Sequence, residues 1–375
     1  MLKRFEVKNF MNFKERVSID FSKVGGYQFS TNCITDGMIS KMIIYGRNAT
    51  GKTNLGRALF DIKDILPVNS FLLINDNYLN ADSKEQYADF SYTFQFGINE
   101  VVYLYQKDED AQMHEEELLL NGERIFYYNF ETKESDFKNL NKIGAETIVI
   151  DKFLKADEAE NTIPFLRWML NNTILSVDSI LLKLEDYVER MGMLTARHSM
   201  RGIVTRGNDP FIKLLENPTV LNDFESFLNA MGIECKLVLL DLPDGKKKLY
   251  FDHEKPVPFF ETASSGTIAL TNLYRDLTIG KTASLLYLDE YDAFFHYEMS
   301  DTVLQYFKNR YPDCQVILTT HNTNLMTNSK MRPDCLFILS RSGNLTPLCA
   351  ATRRELREGH NLEKLYISGE FEKYE

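Results

Sequence analysis

The sequence predicts an α/β fold organised around a phosphate-binding loop, and three observations carry that prediction. A short apolar run, Lys41-Met42-Ile43-Ile44-Tyr45, leads into Gly46-Arg47-Asn48-Ala49-Thr50-Gly51-Lys52-Thr53, which fits GxxxxGK[ST] without a mismatch. Residues 54–66 then carry Leu55, Ala58, Leu59, Ile62, Ile65 and Leu66 on one side of a helix. Far downstream, two more apolar runs end in chemistry: residues 284–290 in the carboxylates Asp289 and Glu290, residues 315–321 in His321. A chance match to the loop pattern in a chain of this length occurs about once in a hundred sequences.

Strands open the chain. Phe5-Glu6-Val7-Lys8-Asn9-Phe10 and Val17-Ser18-Ile19-Asp20-Phe21 alternate apolar and polar residues. In the loop, Gly46 and Gly51 let the backbone wrap an anion, and the loop amides and helix N-terminus, with Asn54 in its first turn, supply donors. Lys52 suits the β- and γ-phosphates and the Thr53 hydroxyl suits Mg²⁺, so the loop implies a nucleoside triphosphate, taken as ATP, with Mg²⁺. Residues 87–96 and 100–106 read as strands joined by Gly97-Ile98-Asn99, and Ile148-Val149-Ile150 as another strand. The acidic runs Lys107-Asp108-Glu109-Asp110 and Glu115-Glu116-Glu117 read as solvated loops.

From about residue 155 to 231 the periodicity becomes helical. Phe165, Leu166, Trp168, Met169, Ile174, Leu175, Ile180, Leu181, Leu184 and Val188 recur at helical spacing, as do Leu221, Phe224, Phe227 and Leu228. Trp168 reads as core filling, and no sustained heptad repeat marks a coiled-coil arm. Strands return at 235–240 and 247–251 around Pro243-Asp244-Gly245. Next, Thr262-Ala263-Ser264-Ser265-Gly266-Thr267 precedes a helix over 268–277, with Ser264 as N-cap and the amides above Ser265 and Gly266 as an anion seat.

The two carboxylates divide their work. Asp289 at a strand end suits the Mg²⁺ shell beside Thr53, and Glu290, facing the opposite way, suits a role in polarising the attacking water. His321 follows Glu290 by 31 residues, room for one helix and a return crossover, and a neutral imidazole there can bond the γ-phosphate or the water.

At 375 residues, 44% hydrophobic and 26% charged, the chain has ample length to bury a core. It has neither an apolar run of membrane-spanning length nor a signal-peptide core, and its five scattered cysteines form no CxxC, so it reads as cytoplasmic, with reduced thiols. A net charge of −11 argues against a surface that coats nucleic acid throughout. Arg190, Arg197, Arg201 and Arg206 nevertheless form a basic stretch free of carboxylates, which suits DNA, an acidic partner or a solvated helix end alike. Lys246-Lys247-Lys248 beside the Asp244-Gly245 turn, and Arg353, Arg354 and Arg357, are weaker basic groups of the same kind.

In order and spacing, the phosphate loop, Ala263-Ser264-Ser265-Gly266-Thr267, Asp289-Glu290-Tyr291-Asp292-Ala293-Phe294-Phe295-His296 and His321 resemble the nucleotide-binding domain of ABC-type ATPases. The resemblance places these elements as Walker A, the LSGGQ-like signature, Walker B with the D-loop, and the switch histidine. The opening Phe5-Glu6-Val7-Lys8-Asn9-Phe10-Met11-Asn12-Phe13 resembles the first strand of RecF, SMC and OLD-type ATPases. Ser265-Gly266-Thr267, the Asp289 to His296 spacing and Leu365-Tyr366-Ile367-Ser368-Gly369-Glu370-Phe371 look most like the AAA/OLD-like ATPases of bacterial abortive-infection and anti-phage systems (the AbiL, RloA and PARIS kind).

That resemblance implies a P-loop NTPase of ABC-ATPase type. Its mixed sheet core carries an antiparallel β subdomain and a helical insertion, divided as 1–152, 153–232 and 233–375. It implies an ATP-hydrolysing homo-oligomer, in which Ser264 of one copy meets the γ-phosphate held by another. Such a protein would control a separate effector from a neighbouring gene in anti-phage defence. A RecF-like DNA-binding ATPase is the alternative. OLD nucleases carry a Toprim domain after the ATPase, and none is expected here. Gln95 lies in a strand, and the sequence does not distinguish a γ-phosphate sensor from a surface glutamine.

Overall fold

A computed structural model of the chain describes residues 1–66, 78–158, 163–195, 210–278, 283–293 and 297–375. Two sheets share one apolar core. The first has six strands in the order Met191–Thr195, Leu285–Asp289, Gln315–Thr320, Lys41–Tyr45, Leu336–Leu339, Leu345–Pro347. Neighbours are parallel until the last pair, which is antiparallel. Lys41–Tyr45, Leu285–Asp289 and Gln315–Thr320 are buried at every position, as expected for a parallel sheet covered on both faces. Because these strands point the same way, with Thr320 opposite Tyr45 and Leu288 opposite Leu318, their C-terminal ends open at a single edge. Gly46, Asp289 and His321 therefore meet there.

The second sheet is antiparallel and seven-stranded, running from Ser135–Asp136 through Glu123–Asn129, Met113–Leu120, Asn99–Lys107 and Ala88–Phe96 to Leu2–Lys8 and Val17–Asp20. Alternate residues of Ala88–Phe96 are buried, the pattern of a sheet with one face on the core.

The helix Lys52–Phe60 is gripped by both sheets. The Tyr92 hydroxyl donates to Ala58 O at 2.8 Å from the antiparallel side, and the Tyr287 hydroxyl donates to Lys52 O from the parallel side. A Cβ at Gly56 would fall 2.7 Å from the Tyr287 ring and 2.8 Å from Met193 Cε, so only glycine allows this approach. Leu55 and Leu59 are fully buried, each stabilising the packing by about 1.5–3 kcal/mol. At the helix end Asp61 accepts from Tyr78 OH (2.7 Å), Tyr105 OH (2.8 Å) and Lys107 Nζ (2.7 Å). This pins the phosphate-loop helix to the antiparallel sheet.

Several sequence expectations are corrected. Ile148-Val149-Ile150 is not a strand: a three-residue apolar run finds no pairing partner, and Ile150 instead starts the helix Ile150–Glu158. Ile174 lies beyond the helix Phe165–Asn172 and is 97% exposed, so its helical spacing was fortuitous. Met191–Thr195, within the stretch read as helical, is an edge strand of the parallel sheet; with Gly192 and no β-branched residue before Thr195, it lacks a strand signature.

The Glu115-Glu116-Glu117 run is also not a solvated loop. It lies in the strand Met113–Leu120, with Glu116 fully buried. Its carboxylate accepts from Tyr103 OH at 2.8 Å and from the backbone amides of Phe165 and Leu166, at the N-terminus of the helix Phe165–Asn172. A helix end needs acceptors for its unpaired amides, and this glutamate supplies them. Burial pushes its pKa up to about 7, against the opposing effect of those donors.

A small three-stranded sheet, Leu237–Asp241, Lys247–Phe251 and Val257–Pro258, leads into the short helix Phe259–Thr262 and then Ser264. Phe259 packs on Phe251 (ring centroids 4.8 Å) and Phe224 (6.0 Å), and Tyr274 OH donates to Asp223 at 2.8 Å. These contacts fix the helix Ser265–Thr278 on the helix Pro218–Ala230. No helix among the described residues is long and apolar enough to cross a membrane.

Candidate functional site

The phosphate loop closes on itself. Gly51 adopts φ 101°, a left-handed conformation natural only to glycine, and a Cβ there would fall 2.2 Å from the Asn12 amide. Asn12, in the turn after the first strand, donates to Thr50 O at 3.2 Å and accepts from Asn54 Nδ2 at 2.8 Å. Lys52 Nζ donates to Gly46 O (2.7 Å) and Arg47 O (3.1 Å) and lies 3.1 Å from His321 Nε2. Ala49, at φ 63°, completes the curl of the loop. Arg47 points outward, and its Nε and Nη2 donate to Glu375 Oε2 at 2.9 and 2.6 Å.

His321 is half-exposed at the sheet edge. Burial and then the Lys52 charge lower its pKa from 6.5, while Glu290 opposes them, so the ring favours its neutral form. Since an ammonium can only donate, Nε2 faces Lys52 as an acceptor. Burial likewise lowers Lys52, partly offset by Glu290 and Asp289.

The carboxylate strand ends beside this pair. Thr53 Oγ1 donates to Asp289 Oδ2 at 2.7 Å, and Thr319 Oγ1 donates to Asp289 Oδ1 at 2.8 Å. The Thr53 hydroxyl and the Asp289 carboxylate are two adjacent hard oxygen donors next to a phosphate loop, which fits Mg²⁺. Glu290 has φ 48°, and its Oε1 lies 3.9 Å from His321 Nε2, half open to solvent. Asp292 accepts from Thr320 Oγ1 at 2.5 Å, and burial raises its pKa.

Ser264, Ser265 and Gly266 lie on a separate element. Ser264 Oγ accepts from Thr267 N at 3.1 Å, an N-cap as the sequence suggested. Ser264 and Ser265 are exposed, Gly266 is half-buried and Thr267 is buried. The strand ends thus bring together residues 46–54, Asp289, Glu290 and His321, while Ser264–Gly266 present an accessible helix N-terminus.

The other candidates are placed elsewhere. Gln95 donates to Gly97 O at 2.9 Å in its own hairpin and bonds backbone to backbone with Met1. Arg190 donates to Asp186 at 2.9 Å, while Arg197, Arg201, Arg206 and Phe294 to His296 lie outside the described residues. Lys246, Lys247 and Lys248 pair with Asp244, Asp241 and Glu261, and Arg354 and Arg357 pair with Glu370 and Glu355.

Sequence reasoning missed Asn12 and Thr319. Asn12 was legible only as part of an opening strand, and Thr319 only as one of two hydroxyls ending an apolar run.

The fold is an α/β P-loop fold of the ABC-ATPase type. The chain belongs to the family described as "AAA domain, putative AbiEii toxin, Type IV TA system", whose model matches residues 41–327. No curated protein matches it. Among solved structures it is similar to an SMC head bound to the C-winged helix domain of ScpA, at 17% identity and TM-score 0.54, covering 92% of this chain and 96% of that one. An SMC head domain from Thermotoga maritima aligns at 15% identity and TM-score 0.46, covering 92% and 98%.

Proposed function

We propose that this chain binds and hydrolyses Mg²⁺–ATP in a head-to-tail pair, and that pairing controls a separate effector, a nuclease or toxin, in anti-phage defence. The observation that carries the reading is the meeting at one sheet edge of Lys52, Thr53, Asp289, Glu290 and His321, with Thr53 bonded to Asp289 and Lys52 facing His321. In this reading Lys52 and the amides of residues 46–54 hold the phosphates, and Thr53 and Asp289 hold Mg²⁺, whose charge offsets that of the phosphates. Glu290 polarises the water and His321 bonds the γ-phosphate. The exposed serines at 264 and 265 complete a neighbour's site, a helix N-terminus favouring a nearby anion by roughly 0.3–2 kcal/mol.

Applied twice by symmetry, that preference biases the pair toward closure, and hydrolysis removes it. The defence context is supported by the family's description, which names a toxin and a toxin–antitoxin system. The test is Glu290→Gln, which keeps the fold of the turn but removes the base. With Mg²⁺–ATP it should accumulate as a dimer or larger assembly by light scattering, and it should co-purify with the co-expressed product of an adjacent gene. A variant that stays monomeric with ATP and hydrolyses at the parental rate overturns the ATPase reading. A strictly solitary protein overturns the effector reading.

A further inference from the structure

We propose that Thr319 is the positioning residue for Glu290, its hydroxyl fixing the backbone of the carboxylate turn so that Glu290 is aimed at the reacting water. The proposal rests on the function proposed above, in which Glu290 is the base.

Thr319 is fully buried beneath the turn. Parallel pairing between the carboxylate and histidine strands ends at Leu288 opposite Leu318. One rung further, the Thr319 hydroxyl adds side-chain bonds to the backbone pairing. Thr319 Oγ1 donates to Asp289 Oδ1 at 2.8 Å and accepts from Glu290 N at 2.8 Å, and Thr319 O accepts from Tyr291 N at 3.3 Å. A single residue thus bonds three consecutive residues of the turn.

The turn needs such a clamp. Glu290 sits at φ 48°, a left-handed conformation unfavourable to any residue with a Cβ, which persists only where its surroundings over-determine it. Release of the Glu290 N–H would let φ return to the right-handed or extended region. That rotation would swing the side chain away from its place 3.9 Å from His321. A hydroxyl can donate and accept at the same time, which the two Oγ1 bonds require. Valine matches threonine in shape and can do neither; serine can do both. The identity of residue 319 therefore governs the aim of the base without being one of the groups proposed to hold nucleotide.

The experiment compares Thr319→Val and Thr319→Ser with the parent in three readouts: hydrogen exchange at the 289–291 amides without nucleotide, affinity for a fluorescent ATP analogue, and kcat. In the valine variant the Glu290 amide should exchange faster and kcat should fall on the order of 10-fold to 100-fold, with nucleotide affinity held within about threefold. The serine variant should recover kcat to within about threefold of the parent. Parental kcat in the valine variant overturns the proposal, as does equal impairment of the serine and valine variants, which would assign the effect to packing. Should the valine chain not fold, Thr319→Ala is read the same way. A Glu290→Gln variant run in parallel separates the two failures. If it loses turnover while Thr319→Val does not, only the Thr319 assignment falls; if it too turns over at the parental rate, the proposed function falls.

Discussion

The two halves of the candidate site are built in opposite ways. The phosphate half is tied together from four elements: the loop, the Asn12 turn, the carboxylate strand and the histidine strand are joined by side-chain bonds of 2.7–3.2 Å. The Ser264 half stands on one helix end: Ser264 Oγ caps Thr267 N at 3.1 Å, and both serines are exposed. One half is cross-bonded within the chain and the other is an exposed helix end, and the proposed pairing of two copies rests on that contrast.

The largest effect should come from breaking the cross-bonded half. Lys52→Ala should weaken ATP binding about 100-fold, through loss of charge-assisted hydrogen bonds worth roughly 3 kcal/mol, measured by nucleotide titration. Next, a blocking substitution on the open half, Ser265→Trp, should leave ATP binding per chain intact. Hydrolysis should fall about 100-fold, the scale set by one set of positioned donors. Mixing the two variants sharpens the contrast. A hybrid pair combines an intact loop from one chain with an intact helix end from the other, so activity should return on mixing. Absence of recovery would rule out a shared site.

The smallest effect lies outside the site, at Glu116. Its folded pKa of about 7 is above the carboxyl's ordinary 4.5, so the fold binds this proton more tightly than the unfolded chain does. The contribution is fully present below pH 4.5 and is lost as pH rises through about 7. The parent's melting temperature should therefore drop between pH 5 and 8 more than that of Glu116→Gln. Equal slopes in thermal scans would remove the assignment.

The phosphate half was largely legible in the sequence because its parts sit at strand ends, where apolar runs stop abruptly at polar residues. Residues 41–53, 285–290 and 315–321 all announce themselves in this way. What escaped was set by tertiary contact. Glu116 looks like any acidic surface residue until a helix start is placed against it. Met191–Thr195 has weak strand chemistry and becomes a strand through the edge it joins. Asn12 and Thr319 matter through partners 38 and 30 residues away, which no local pattern encodes.

The outward Arg47 carries one further implication. The stretch 361–375 reaches the candidate-site edge through Glu375 on Arg47, Tyr366 on Tyr45 (ring centroids 6.4 Å) and Glu363 on Thr323 (3.2 Å), which is two residues past His321. That stretch therefore bonds residues that flank both Gly46 and His321. Trimming back to residue 360 would remove the Glu375 and Glu363 bonds together with the fully buried Leu362 and Phe371, so it should lower the melting temperature as well as free Arg47 and Thr323.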